Sequence, residues 1–320
     1  MKFKSKFWAS FAAITYLVLA ALLVAAIIQR INHVKHVKSA RSYVNLGNTS
    51  FVNSNFDNAI SDYNEAIRLN PKNATAYLQR GLAYTMKMDL DKAIDNFSES
   101  IQLNPKDATA YYERGSIYDT KGEYDDAIND YNEALRIDPK NIKALLKRGN
   151  AYSKKEELEN ATHDYNQVLQ LDPMNARAYS SRGIVYRKKG EFDQALKDFD
   201  DGIRINPKDG VAFNNFAWFR ATCANDTFRN GKEAVELATK ACELTQWKSW
   251  FCIATLGAAY AETGDFENAV KYQKQALSMF GATGKNQNDE QQRLDLYEQN
   301  KPYHEVLKTA PPPIAPSVSP

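Results

Sequence analysis

The sequence predicts an all-α fold: a solenoid of about seven antiparallel helix hairpins, preceded by one transmembrane helix. Three observations predict it. Between Ala108 and Asn141, the trios Tyr111, Gly115, Tyr118 and Ala127, Tyr131, Ala134 each recur at i, i+4 and i+7, which places each trio on one helix face. Lys121-Gly122-Glu123 breaks the stretch in its middle and Asp138-Pro139 closes it, so the unit is a helical hairpin. The same unit then recurs with a fixed period of 34 residues.

The register is kept through five copies. Tyr43, Gly47, Ala59, Tyr63, Ala66 and Pro71 begin it, and Tyr77, Gly81, Tyr84, Ala93, Phe97 and Pro105 follow. Beyond the central unit come Leu145, Gly149, Tyr152, Ala161, Tyr165 and Pro173, then Tyr179, Gly183, Tyr186, Ala195, Phe199 and Pro207. Gly at the eighth position and Ala at the twentieth let the paired helices approach closely. The aromatic residues at the eleventh and twenty-fourth positions reach into the next hairpin, because one hairpin alone cannot bury so much apolar surface. Pro stops each second helix, since it lacks an N–H and disfavours the helical conformation in the residue before it. Asn70, Asn104, Asp138, Asp172 and Asn206 occupy that preceding place. Asp57, Asp91, Asp125 and Asp193 fall near the start of second helices, where a carboxylate suits the helix dipole. The Arg before each Gly (Arg80, Arg114, Arg148, Arg182) is periodic too, which points to a structural role at the hairpin surface.

On these residues the chain resembles the tetratricopeptide repeat family over roughly Ala40 to Ser278. The resemblance implies a right-handed superhelical array of repeats at 40–73, 74–107, 108–141, 142–175, 176–209, 210–249 and 250–278. The first repeat has Ser50 where an aromatic is usual, and its turn around Asn53 and Asn55 lacks Gly. The fourth has Glu156 where its neighbours have Gly122 and Gly190, so a looser turn is expected there. In the sixth, about five extra residues near Asn225 to Gly231 lengthen the turn. The text from Asn214 to Leu277 is similar to a closing module of bacterial proteins of this family. After a polar linker, Asp289 to Gln299 is expected to form a capping helix within 279–308, with Leu294 and Tyr297 covering the last hairpin. Residues 309–320 are Pro-rich and expected to be disordered or extended, and the PxxP match at Pro313 to Pro316 reads as linker.

Residues 1–7 form a short basic tail with Lys2, Lys4 and Lys6. Residues 8–28, from Trp8 to Ile28, carry no charge and are long enough to cross a bilayer, and 29–39 link them to the repeats. A cleaved signal peptide is the alternative, but its apolar core is usually shorter. Charges flank both sides of the stretch, so the positive-inside rule gives nearly a tie. The short N-terminal tail resembles a signal anchor, which would place the repeats on the periplasmic side of a bacterial inner membrane. His33 and His36 have metal-like spacing, though two His rarely suffice for a site.

The net charge of +2 gives no support to nucleic-acid binding, and three Cys exclude a disulfide-built scaffold. Neither HExxH nor GxSxG nor a phosphate-cradling Gly loop occurs. Cys242 and Cys252 flank a helix junction and read as core thiols. No catalytic residue, cofactor or metal is therefore expected, and the chain is not expected to be an enzyme.

What remains is binding. The resemblance implies that first helices line a concave groove and assigns to it Asn48, Gln79, Tyr112, Glu113, Lys143, Lys147, Asn150, Lys154, Arg177, Arg187 and Lys188. The basic members cluster in repeats four and five, opposite a reading as solvated surface balanced by Glu156, Glu157 and Glu159. Chaperone-binding relatives hold a peptide C-terminus through a Lys, Asn, Asn, Lys, Arg set. Here Val44, Gln79, Thr109 and Glu113 occupy four of those places and only Asn48 fits. The expected function is a membrane-anchored scaffold binding a protein or peptide, with an acidic segment as the favoured ligand. The alternative is an accessory factor in envelope assembly, secretion or enzyme-complex biogenesis.

Overall fold

The computed structural model describes residues 22–30, 39–279 and 287–307, and every regular element among them is helical. The chain divides into two compact units, one ending at Pro139 and one starting at Lys140. The first contains α1 (39–52), α2 (Phe56–Leu69), α3 (Ala74–Met86), α4 (Leu90–Leu103), α5 (Ala108–Lys121) and α6 (Tyr124–Ile137). The second contains α7 (Ile142–Lys154), α8 (Leu158–Leu171), α9 (Ala176–Lys189), α10 (Phe192–Ile205), α11 (Gly210–Thr222) and α12 (Gly231–Leu244). It continues with α13 (Trp250–Glu262), α14 (Phe266–Ser278) and α15 (Gln287–Glu298). Odd-numbered helices up to α13 are the first arms of hairpins, and even-numbered ones the second.

Helix ends follow from side chains that satisfy orphan backbone groups. Asn73, Asn141 and Asn175 cap α3, α7 and α9 by accepting the N–H of Ala76, Ala144 and Ala178. These caps sit two residues after each Pro, a signal that the spacing of breakers alone did not reveal. Each second helix of the five regular hairpins stops at the residue before the Asn/Asp-Pro pair, as at Leu69 before Asn70 and Ile137 before Asp138.

Each eighth-position Gly has a specific occupant. A Cβ built on Gly47, Gly81, Gly149 or Gly183 would lie 2.4–2.9 Å from the ring of Tyr63, Phe97, Tyr165 or Phe199, and one on Gly115 would lie 3.0 Å from Tyr131. The twenty-fourth-position ring therefore rests on the Gly of its own hairpin. It reaches the next hairpin as well: Tyr63 clusters with Ala83 and Tyr84, and Phe97 with Ala110 and Ile117.

The turn at Glu156 is not loose. Glu156 takes a left-handed φ of 63°, beside 80° at Gly122 and 78° at Gly190. Glu157 N donates to Tyr152 O at 2.9 Å, and Glu123 N makes the matching bond to Tyr118 O at the same length. Ser54 and Met88 do likewise in the first two hairpins, so the hairpin imposes the conformation and a non-Gly residue bears its steric cost.

Arg80, Arg114 and Arg182 each join two successive second helices. Arg114 donates to both carboxylate oxygens of Asp130 at 2.8 and 2.7 Å and to Ser98 at 2.9 Å. Arg182 repeats the pattern with Asp198 and Asn166, and Arg80 with Asn96 and Asn64. Arg148 grips Asp164 in the same bidentate way.

From residue 210 the packing changes. The largest apolar cluster joins Phe199, Phe216, Phe219, Ile253, Leu256 and Tyr297. Ala217 takes the Gly place in α11, and in the last hairpin Gln273 takes the aromatic place, so Gly257 meets backbone instead of a ring. Gln273 Nε2 donates to the carbonyl and the carboxylate of Glu290 in α15. Leu294 and Tyr297 of that helix are buried.

The expected membrane anchor needs correction. Among the described residues no helix is long and apolar enough to cross a membrane. The single-pass assignment, with the inner-membrane and periplasmic placement built on it, is withdrawn. Residues 1–21, the His33/His36 pair and 308–320 with its PxxP match lie outside the described residues.

Candidate functional site

Every residue expected in the groove lies on a first helix. In the first unit, Asn48 is on α1, Gln79 on α3, and Tyr112 and Glu113 on α5, all half-buried. In the second, Lys143, Lys147, Asn150 and Lys154 are on α7, and Arg177, Arg187 and Lys188 on α9. Lys143, Lys154 and Arg177 are exposed, and the others half-buried.

Several of these side chains already have internal work. Tyr63 donates its hydroxyl to Asn48 Oδ1 at 2.9 Å, and Tyr165 to Asn150 Oδ1 at 2.7 Å. Burial pushes both phenols well above the usual tyrosine range, Tyr63 to about 12. They remain donors at any physiological pH, and the two asparagines are held by the core as much as offered to a ligand. Tyr112 lies 6.0 Å, centroid to centroid, from Tyr131. Lys188 Nζ donates to Ser153 O at 3.0 Å and lies 3.4 Å from Glu156. Glu157 and Glu159 take Lys155 and Lys189 at 2.8 and 3.7 Å. The acidic turn of the fourth repeat thus pairs with lysines near it, while Lys143 and Arg177 are exposed on their helices.

Arg187 is engaged by a partner that sequence reasoning missed. Residues 301–307 leave α15 without regular structure and run across the C-terminal ends of α9, α11 and α13. The Glu305 carboxylate pairs with Arg187 and accepts the Trp218 indole N–H at 2.7 Å. Glu305 N donates to Thr222 O at 2.8 Å. His304 Nε2 lies 2.6 Å from Glu262 Oε2, whose other oxygen accepts Arg229 Nε at 2.9 Å. The Arg293 guanidinium sits 4.8 Å from the Trp218 ring and 5.4 Å from the Tyr303 ring. Next to this strand is a depression of about 220 Å³ walled by Glu156, Arg187, Lys188, Phe192 and Leu307. In the sequence, Lys301-Pro302-Tyr303-His304-Glu305 has no periodicity and reads as linker. The only available signal was the aromatic-to-acidic spacing.

The three cysteines, Cys223, Cys242 and Cys252, are all buried free thiols, and burial raises the pKa of Cys242 to about 12. That leaves them inert.

Tetratricopeptide repeat models match residues 74–107, 176–209, 96–129 and 253–282, and a related TPR repeat model matches 47–87, 117–156 and 149–190. No curated protein matches the sequence. Among solved structures, a MamA protein is 26% identical with a TM-score of 0.50, over 54% of this chain and 95% of its own. A tetratricopeptide repeat protein from Parabacteroides merdae is 20% identical with a TM-score of 0.62, over 82% of this chain and 99% of its own. The APC/C hetero-tetramer Cut9–Hcn1 contains a chain 17% identical with a TM-score of 0.61, over 72% of this chain and 44% of that one. The last two likenesses show the fold alone. Together the family matches run from residue 47 to 209 and again from 253 to 282, over half of the chain, and the chain belongs to the tetratricopeptide repeat family.

Proposed function

We propose that the chain is a protein-interaction scaffold whose first-helix face in the second unit binds an acidic extended segment of a partner protein. The observation that carries this reading is the grip of Arg187 and Trp218 on the Glu305 carboxylate. An anionic side chain on an extended strand is already the chemistry this face accepts. Lys143, Lys154 and Arg177, exposed on α7 and α9, extend the basic character along the same arms. Such charges steer association and lose reach with salt, so binding weakens as ionic strength rises. On this reading the chain binds and does not catalyse.

Single rim charges contribute about 0–1 kcal/mol each. The test therefore combines Lys143→Glu, Lys147→Glu and Arg177→Glu. The control is Lys197→Glu, Arg204→Glu and Lys240→Glu, three residues exposed on second helices. Proteins captured from a cell extract are compared for the two triples. Loss of partners from the first triple alone is expected. If the first triple keeps every partner of the wild type, the patch is only solvated surface.

A further inference from the structure

The strand 302–305 is held at three chemically distinct points. Tyr303 packs 5.9 Å from Trp218, His304 meets Glu262, and Glu305 meets Arg187 and the Trp218 indole. Lys301 N closes the end of α15 on Leu296 O, and beyond it, among the described residues, one main-chain hydrogen bond, Glu305 N to Thr222 O, joins residues 302–307 to the helices. Val306 is 89% exposed. This is the pattern of a docked peptide: side chains give specificity, and few backbone bonds have to break for release.

We infer that residues 302–305 are an intramolecular ligand occupying a peptide-recognition site. Its ligand in trans is an extended segment with an aromatic residue two places before a carboxylate and a basic or imidazole side chain between them. The inference rests on the proposed binding function and deepens it, because it names the ligand pattern and says that the site is self-occupied. The cradle accounts for each element. The Arg293 guanidinium stacks against the aromatic ring, the Glu262 carboxylate selects a donor at the middle place, and Arg187 with the Trp218 N–H selects the carboxylate. Glu262 is itself fixed by Arg229, which also donates to Cys223 O at 2.8 Å, so this acceptor is positioned before a ligand arrives.

Occupancy in cis sets how hard a trans ligand must compete. A short tether gives an effective concentration of about 1 mM. For a peptide that binds the vacated site with a Kd of tens of micromolar, the tethered strand weakens apparent affinity by roughly 10- to 100-fold.

The test uses the full chain and a fluorescent peptide of residues 300–307, Asn-Lys-Pro-Tyr-His-Glu-Val-Leu, followed by fluorescence anisotropy beside a scrambled control. The variant Tyr303→Ala with Glu305→Ala is expected to bind the peptide at least tenfold more tightly than the wild type, and addition of Arg187→Glu is expected to abolish that binding. Equal affinity of wild type and double variant, or equal binding of the scrambled peptide, overturns the inference. If the double variant loses helical circular dichroism, Glu305→Gln is read instead, since it keeps the ring packed. It is expected to tighten peptide binding several-fold, and no change overturns the inference. Failure here leaves the wider reading separately testable: partners lost by the Lys143/Lys147/Arg177 triple would still mark a basic binding face, but one not gated by this strand.

Discussion

The regular hairpins and the region from residue 210 onward solve one problem in two ways. A regular hairpin hides its twenty-fourth-position ring on its own Gly and pins itself to the preceding second helix through an Arg. Beyond residue 210 no described Gly rests on a ring, the apolar cluster is larger, and Gln273 bonds to α15 through Glu290. A repeat can stay identical only while another follows it. The last hairpin has no further regular hairpin packed on it among the described residues, and the contacts that cover it, from α15, are irregular. The one strand gripped like a ligand lies in this irregular region.

The largest expected effect separates the Arg ladder from ordinary surface charge. Arg182→Met leaves Asp198, 2% exposed, without its bidentate partner. Breaking such a pair from one side costs about 3–5 kcal/mol. Burial already pushes the Asp198 carboxyl above the usual aspartate range, against the pull of the Arg182 hydrogen bond. Without Arg182 the main downward pull is gone, and only the weaker one of Lys197 still opposes burial. A carboxyl whose folded pKa exceeds its unfolded value stabilises the fold as pH falls through that folded pKa. The deficit of the variant in thermal melts should therefore be largest near neutral pH and shrink on acidification, whereas the exposed Arg204→Met should show neither effect.

The next effect probes the Gly-on-ring contact. Gly149→Leu drives a side chain into Tyr165, whose ring lies 2.8 Å from the added Cβ position. Overpacking costs about 1–3 kcal/mol. The melting temperature should fall well below that of Lys155→Leu, an exposed control at the C-cap of the same helix.

A smaller effect tests whether the hairpin or the residue sets the turn. Gly122→Ala has open space around its Cβ but φ near +80°, so only the backbone resists, at about 1–2 kcal/mol. Glu156→Gly should stabilise by a comparable or smaller amount, since Glu156 already bears that strain at φ 63°. Opposite signs in chemical denaturation support an imposed left-handed turn, and a destabilising Glu156→Gly contradicts it. Smallest of all is the expected thiol reactivity. With its pKa near 12, the Cys242 thiol is ionised at pH 8 in only about one molecule in ten thousand, so the folded protein should resist alkylation until it is unfolded.

The sequence made legible whatever repeats. Five copies of the Gly, Ala, aromatic and Pro spacing specify the hairpins, and the Arg before Gly81, Gly115, Gly149 and Gly183 announces a structural ladder. The cap was legible because Leu294 and Tyr297 lie three apart on one helical face. Contacts between different periodic positions stayed hidden. The Tyr165-to-Asn150 bond joins a core place to a groove place, and one-dimensional spacing separates the two. Glu156 misled because composition suggested a loose turn where the hairpin enforces a tight one. The apolar stretch invited a span by its composition, while among the described residues no helix is long and apolar enough to cross a membrane. Residues 301–307 were illegible for a simpler reason: a docked strand has no internal period, and its meaning lies in what it touches.

The most direct test of the central claim watches the Trp218 indole in solution. Its N–H donates to Glu305, so its proton resonance, assigned through Trp218→Phe, reports whether the strand is seated. The account predicts a clear shift of this resonance in Glu305→Gln and in Arg187→Glu, with the indoles of Trp247 and Trp250 unmoved. A Trp218 resonance that ignores both substitutions would contradict a first-helix face that holds an acidic strand.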